Sequence, residues 1–275
     1  NATEELFRDI PEQLRFRQRL DLPEALSEME VGLELSRLAK TNRSQSDLVS
    51  FLGAGCYDHY IPSAVDHIIS RGEFFTAYTP YQAEISQGTL QSIYEFQTMI
   101  CELTGMDIAN ASMYDGATAL ADGALMAAAV GRKRSNIVVS KTINPLYLQV
   151  ISTYLTGRAD LELRYVEADQ GITSLSALEQ SVDEATAAVL VQQPNFFGCL
   201  EPASEISEIT HKQGAKLVIC ADPISLGILA APVDYGADIV VGEGQSLGNP
   251  PSFGGPGLGF FAAQEEFMRS MPGSI

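Results

Sequence analysis

The 275-residue sequence predicts an α/β protein with a mostly parallel sheet and helices on both faces. Two observations carry that prediction. From about residue 110 onward, short apolar runs alternate with segments of helical periodicity. The runs, among them AAVLVQ (187–192), KLVIC (216–220) and DIVVG (238–242), are continuously apolar, the pattern of strands covered on both sides. With 45% apolar residues the chain has the material for a sizeable core.

The elements follow in order. Residues 1–22 read as an extended arm with one short helix, LFRDIPEQL, and EALSEMEVGLELSRLA predicts a helix over 24–39. SDLVSFLGAGCYDHYIP (46–62) is a Gly- and aromatic-rich loop, after which SAVDHIIS opens a helix with Ser63 as its expected cap. YTPYQAEISQGT (78–89) reads as a second long loop. It leads into LQSIYEFQTMICELTG, where Ile93, Phe96, Ile100 and Leu103 share a face and Gly105 ends the helix. An Ala-rich helix entered through Gly116 follows. Strands at 137–140, 161–167, 187–192, 216–220, 238–242 and 257–262 then interleave with helices at 145–157, 174–182 and 203–213.

Composition narrows the function. Lys plus Arg number 17 against 35 Asp plus Glu, a net charge of −18, which repels nucleic acid and anionic lipid. The apolar stretches are too short to span a membrane, and the charged N-terminus is no signal peptide. Cysteines at 56, 101, 199 and 220 and histidines at 59, 67 and 211 show no zinc-ligand spacing, so no metal is expected. Unpaired, apolar-flanked cysteines such as Cys101 and Cys220 fit a reducing cytoplasm. Asn1 in place of an initiator Met suggests a trimmed start.

In an open α/β sheet, ligands sit beyond the C-terminal ends of the strands. Four loops there carry informative residues. In MYDGATALADGALMA (113–127), Gly116 and Ala117 open a helix whose amides suit an anion, and Thr118 adds a hydroxyl; close helix packing accounts for the same residues. Asp222 ends the strand of VICADPISLG, where a partly buried carboxylate pairs with a cationic ring nitrogen or caps a turn before Pro223. VQQPNFFGCLE places Phe196 and Phe197 after a strand, more suited to core or interface than to ligand contact. VGEGQSLGNPPSFGGPGLGFF (241–261) is shaped to hold a ligand, yet it carries no lysine and only one Glu, at its entrance. Lys141 is the only lysine at a plausible loop mouth.

FLGAGCYDHYIPSAV, the long block YTPYQAEISQGTLQSIYEFQTMICELTGMDIANASMYDGATA, QQPNFFGCLE and SFGGPGLGFFA together resemble the glycine decarboxylase (P-protein) family of the glycine cleavage system. GQSLGNPPSFGGPGLG resembles the α-subunit type of its two-subunit prokaryotic form. The resemblance covers residues 4 to 275. It implies the large domain of a fold-type I pyridoxal-phosphate transferase over 46–275, preceded by an arm and helix over 1–45. FMRSMPGSI stands where a small C-terminal domain would begin, so that domain is expected to be absent from this chain.

The resemblance also implies site roles. In the catalytic β subunit a His-Lys pair occupies the loop, and its lysine forms the Schiff base; Gly244 and Gln245 fall at that pair here. A glutamine amide cannot form an imine, so no catalytic residue is expected in this chain. Gly116, Ala117 and Thr118 match the phosphate loop and Asp222 the aspartate facing the pyridine nitrogen. Asn144 stands where the family has a ring-stacking His before Pro145. These read as a vestigial cofactor site.

Pyridoxal phosphate is then bound by the β subunit, which decarboxylates glycine and passes the aminomethyl group to the lipoyl arm of H-protein. This chain would complete that pocket, with Tyr57, His59, Tyr78, Tyr81, Gln82 and Glu84 as expected lining; a buried structural role for these loops stands beside direct contact. The alternatives are an independent enzyme using another lysine, such as Lys141, and a vestigial binding or scaffold module with no part in catalysis.

Overall fold

The computed structural model describes residues 2–44, 47–49, 51, 53–55, 57–75, 82–131, 133–251 and 257–274. They group into two compact units, 1–52 and 53–275.

In the first unit, helix α1 (Ala2–Glu5) precedes the helix expected over LFRDIPEQL (6–14), of which only a 3-10 turn at Glu12–Leu14 forms, started by Pro11. Helix α2 spans Glu28–Ala39 and starts four residues later than its periodicity suggests. The start is set by a capping box: the Ser27 hydroxyl accepts the Glu30 amide, and the Glu30 carboxylate accepts the Ser27 amide at 2.8 Å. No described side chain of α2 is buried, although Met29, Leu33 and Leu35 are among its residues.

The second unit begins with α3 (Ser63–Ile69) and α4 (Gly72–Phe75). Ser63 is the first helical residue of α3; Pro62 takes the cap position, and no side chain caps the turn. Helix α5 (Ala83–Thr104) extends into what the sequence suggested was loop, with non-helical angles at Ser86 marking the join. Its later turns follow the expected periodicity, and Gly105 ends it in the left-handed conformation at φ 73°. Then come α6 (Gly116–Val130), α7 (Pro145–Leu155), α8 (Leu175–Ser181) and α9 (Ala203–Lys212).

The strands are β1 (Ile108–Ala109), β2 (Asn136–Ser140), β3 (Glu162–Val166), β4 (Ala168–Asp169), β5 (Ile172–Thr173), β6 (Thr186–Gln193), β7 (Lys216–Ala221), β8 (Ile239–Glu243) and β9 (Gly259–Ala263). Among the described residues, seven of them form one sheet in the order β1-β9-β8-β7-β6-β2-β3, while β4 and β5 make a small hairpin. The run from β3 to β8 is parallel, and β9 pairs antiparallel with both β8 and β1. This is the mostly parallel α/β sheet that the apolar runs predict.

Alternation along each strand explains why the runs are continuously apolar. Val218 and Cys220 of β7, with Ile239 and Val241 of β8, face a core completed by α6 and α7. Leu217, Ile219 and Val240 face the opposite core, shared with α5, α8 and α9. Both faces are dry, so every position must be apolar. Gly242 is fixed by close approach: a Cβ there would meet the Ala221 carbonyl oxygen at 2.1 Å. The parallel strands therefore end together, and the loops beyond their C-terminal ends converge.

Candidate functional site

A cavity of about 330 Å³ opens at that convergence. Its floor comes from strand ends: Gln192 of β6, Cys220 and Ala221 of β7, and Glu243 of β8. Pro194, Asn195 and Phe196 form one wall, Asn144 and Tyr147 another, and Gly55, Tyr57 and His59 lie at the front. Asp222, Gln245 and Ser246 complete the lining.

The wall after β6 is held by a buried carboxylate. Glu201 accepts the Thr142 hydroxyl at 2.6 Å, the Asn195 amide at 2.8 Å and the Thr173 backbone amide at 2.8 Å. Its own backbone amide donates to Gln193 Oε1 at 2.8 Å. The Thr173 amide and the Thr142 hydroxyl thus tie the segment to β5 and to the turn after β2, while Asn195 and Gln193 brace it from within. Phe196 and Phe197 meet edge to face, with centroids 5.9 Å apart; Phe196 lines the cavity while Phe197 is exposed.

Asn144 caps α7: its side-chain oxygen accepts the Leu146 amide at 2.9 Å, and its side-chain nitrogen donates to the Ala54 carbonyl at 3.3 Å. Its backbone amide donates to Gln192 Oε1 at 2.8 Å. Pro145 at the first helical position fits that start. Asn144 presents a capping amide at this wall, with its polar atoms already engaged by backbone.

Asp222 is exposed, which corrects the expectation of a partly buried carboxylate. It lies beyond the end of β7, and the turn that follows carries it out of the sheet. Oδ1 accepts the Ile224 amide at 2.9 Å, so Asp222 caps its own turn while lining the cavity rim. His59 Nδ1 donates to the Tyr57 carbonyl at 3.0 Å, which sets the ring at the cavity mouth.

The amino end of α6 sits beside β8. Asp115 accepts the Thr118 amide at 2.7 Å, and the Thr118 hydroxyl returns to the Asp115 backbone. In this reciprocal cap the Thr118 hydroxyl is turned back to the Asp115 backbone. The Gly116 amide donates to Glu243 Oε2 at 2.9 Å. Glu243 Oε1 accepts the amides of Gln245 at 2.9 Å and Leu258 at 2.7 Å. A Cβ on Gly116 would lie 2.9 Å from Glu243 Cβ and 2.8 Å from the Tyr147 hydroxyl. Gly116 is thus packed too tightly for a methyl group, and the Gly116 and Thr118 amides are already engaged by Glu243 and Asp115. The residues present do not fit the phosphate end of a pyridoxal-phosphate cofactor.

Two buried groups of the cavity are pushed toward their neutral forms. Burial, reinforced by the nearby carboxylates of Glu243 and Asp222, pushes the Cys220 thiol up to about 12. Burial, then Cys220 and Glu243, raises the Tyr147 phenol above its ordinary value. No lysine or arginine is among the described lining residues. Lys141 pairs with Glu167 and lines a separate depression with Leu148 and Tyr165. Gln245, at the expected Schiff-base position, donates its side-chain amide to the Asn249 carbonyl.

A profile of the family described as "Glycine cleavage system P-protein" matches residues 1–275. The chain belongs to the P-protein family. It is 56% identical over 273 residues to a "Probable glycine dehydrogenase (decarboxylating) subunit 1" of Desulforamulus reducens, covering 99% of this chain and 61% of that protein. It superposes with a TM-score of 0.90 on a crystal structure of a glycine decarboxylase (P-protein) of the glycine cleavage system in inhibitor-bound form. The identity there is 47%, over 98% of this chain and 60% of the other. A sphingosine-1-phosphate lyase of Burkholderia pseudomallei shares the fold at a TM-score of 0.68 and 13% identity, over 95% of this chain and 64% of the other. The fold is that of the fold-type I pyridoxal-phosphate enzymes, as expected. The chain therefore spans about 61% of the length of the P-protein relatives it matches.

Of the expected site residues, the fold brings Tyr57, His59, Asn144, Asp222 and Gln245 around one cavity. Gly116, Ala117 and Thr118 stand behind Glu243 and outside the lining. Gln82 and Glu84, exposed around the start of α5, are also outside it. Tyr78 and Tyr81 lie outside the described residues. Tyr147, Gln192 and Glu243 also line the cavity, beyond the residues expected from the sequence. For Glu243 the signal was present: a lone carboxylate at the very end of an apolar strand, at the entrance of a loop without lysine.

Proposed function

We propose that this chain is the α subunit of a two-subunit glycine dehydrogenase (decarboxylating), and that it completes the active site of its β partner without binding the cofactor covalently. The observation that carries this reading is Gln245, an amide lining the cavity beyond β8 where imine chemistry requires an amine. Pyridoxal phosphate then belongs to the partner, where it supplies the electron sink for loss of CO2 from glycine. The lipoyl H-protein receives the aminomethyl group. Tyr57 and His59, at the open front of the cavity, together with Tyr78, Tyr81, Gln82 and Glu84, are the residues proposed to approach the partner's site.

Residues 46–275 act in this reading as the transferase-type large domain and 1–45 as an arm. The exposed apolar residues Leu6, Phe7, Phe16 and Leu33 suit burial against another subunit. No described helix is long and apolar enough to cross a membrane. Cys101, Cys199 and Cys220 are free thiols, in keeping with a cytoplasmic setting. A module with no part in catalysis gains no support from the relatives, which are named as enzyme subunits.

The test is exchange of labelled CO2 into glycine in the presence of lipoyl H-protein. Neither subunit alone should exchange, and mixing them should restore it. Full exchange by the β subunit alone would reject the reading.

A further inference from the structure

We propose that Glu243 is a resident anion: its carboxylate takes the place at the amino end of α6 that a phosphate monoester would need, and it keeps phosphorylated ligands off this chain. The inference rests on the same reading of Gly116–Thr118 as a former phosphate loop, and adds what closed it.

Three features of the geometry argue for this role. First, Glu243 is seated as a phosphate would be, on backbone amides alone. Gly116 donates to Oε2, and Gln245 and Leu258 donate to Oε1. The α6 helix is 15 residues long, so its amino end carries a partial positive charge that a carboxylate satisfies.

Second, the glycines beside the carboxylate are packed closely against it, so Glu243 is held in this position. The Gly116 Cα faces Glu243 Cβ and the Tyr147 hydroxyl at distances that a single methyl would violate. A Cβ on Gly257 would come within 3.3 Å of Glu243 Oε2 and 2.9 Å of Asp115 Cβ.

Third, the surroundings repel a second anion. Asp115 already holds the Thr118 amide, Asp222 stands at the cavity rim, and the described lining offers no lysine or arginine to balance a phosphate. Loss of the lysine equivalent removes covalent attachment; Glu243 separately removes the non-covalent anchor. Restoring a lysine at 245 alone would therefore leave a site that still rejects the cofactor's phosphate.

Replacing Glu243 by a small residue reverses the argument. It would free the amides of Gly116, Gln245 and Leu258 around a new space at a helix amino end. The experiment titrates inorganic phosphate into the full chain, against chloride at matched ionic strength, by calorimetry and thermal shift. Wild type should show no phosphate-specific effect. Glu243→Ser should bind phosphate at least about tenfold more tightly, the equivalent of one charge-assisted hydrogen bond. Glu243→Gln, which keeps the volume, should bind no better than wild type.

A folded Glu243→Ser with no gain, or a wild type that binds phosphate with amide shifts at Gly116 and Gln245, overturns the proposal. Should Glu243→Ser fail to fold, the wild-type titration with those amide resonances decides alone. The titration needs no β subunit, so its failure and a failure of the subunit assignment are read separately.

Discussion

Thr142 and Glu201 are joined by a hydrogen bond of 2.6 Å, hydroxyl to carboxylate, across 59 residues of sequence. Both side chains are buried, and among the described residues hydroxyl and amide donors, not a cation, satisfy the carboxylate. The bond fixes the wall carrying Asn195 and Phe196, so the cavity inherits its shape from a group that does not line it.

Glu201→Gln follows from that relationship. An amide NH2 in place of one oxygen must face either the Thr173 amide or the donors of Thr142 and Asn195, donor against donor. One buried donor left unsatisfied costs about 1–3 kcal/mol. Urea unfolding should show a loss in that range. A change below about 0.5 kcal/mol, the scale of a surface substitution, would show that the carboxylate does not hold the wall.

Cys220 should be inert. It is buried, and its thiol is pushed up to about 12 from the ordinary 9.0. A raised value means that its contribution to stability is present in full below about 9 and is lost as pH rises toward about 12. At pH 8, iodoacetamide followed by peptide mapping should label the half-buried Cys199 and spare Cys220. Equal labelling of the two in folded protein would contradict the burial.

Asp183 gives the acid-side test. Its hydrogen bond to Arg164, at 2.8 Å, is the largest influence holding the carboxyl below its ordinary 3.8; bonds from Thr186, Asn136 and the Ala185 amide assist. A lowered value places the stabilisation above that ordinary value and removes it as pH falls through the folded one. Because the side chain is 48% exposed, solvent screening limits the effect to about 0.2–1 kcal/mol. Asp183→Asn should flatten stability against pH on the acid side, as pH falls below the ordinary carboxyl value of 3.8. An unchanged slope in thermal unfolding would contradict the assignment.

The fold was legible where packing leaves a mark on composition. Two dry faces demand uninterrupted apolar strands, and β6, β7 and β8 show them. Helix starts were less legible because they hang on single hydrogen bonds. The Ser27 box moves the start of α2, and α5 begins before the Leu90 periodicity does. At the site, the absence of a lysine from the 241–261 loop is visible directly in the letters. The seat of Glu243 could not, because it depends on β8 delivering that carboxylate to the amino end of α6 across 127 residues. Asp222 also looked more buried in sequence than it is, since the turn that carries it outward follows the strand.

The most direct test is borohydride reduction of the assembled two-subunit enzyme with pyridoxal phosphate, followed by peptide mapping of both chains. One pyridoxyl-lysine per αβ pair is expected, on the partner, and none at any lysine of this chain. A stoichiometric pyridoxyl group on Lys141, or on any other lysine here, would give this chain its own cofactor site and contradict the account.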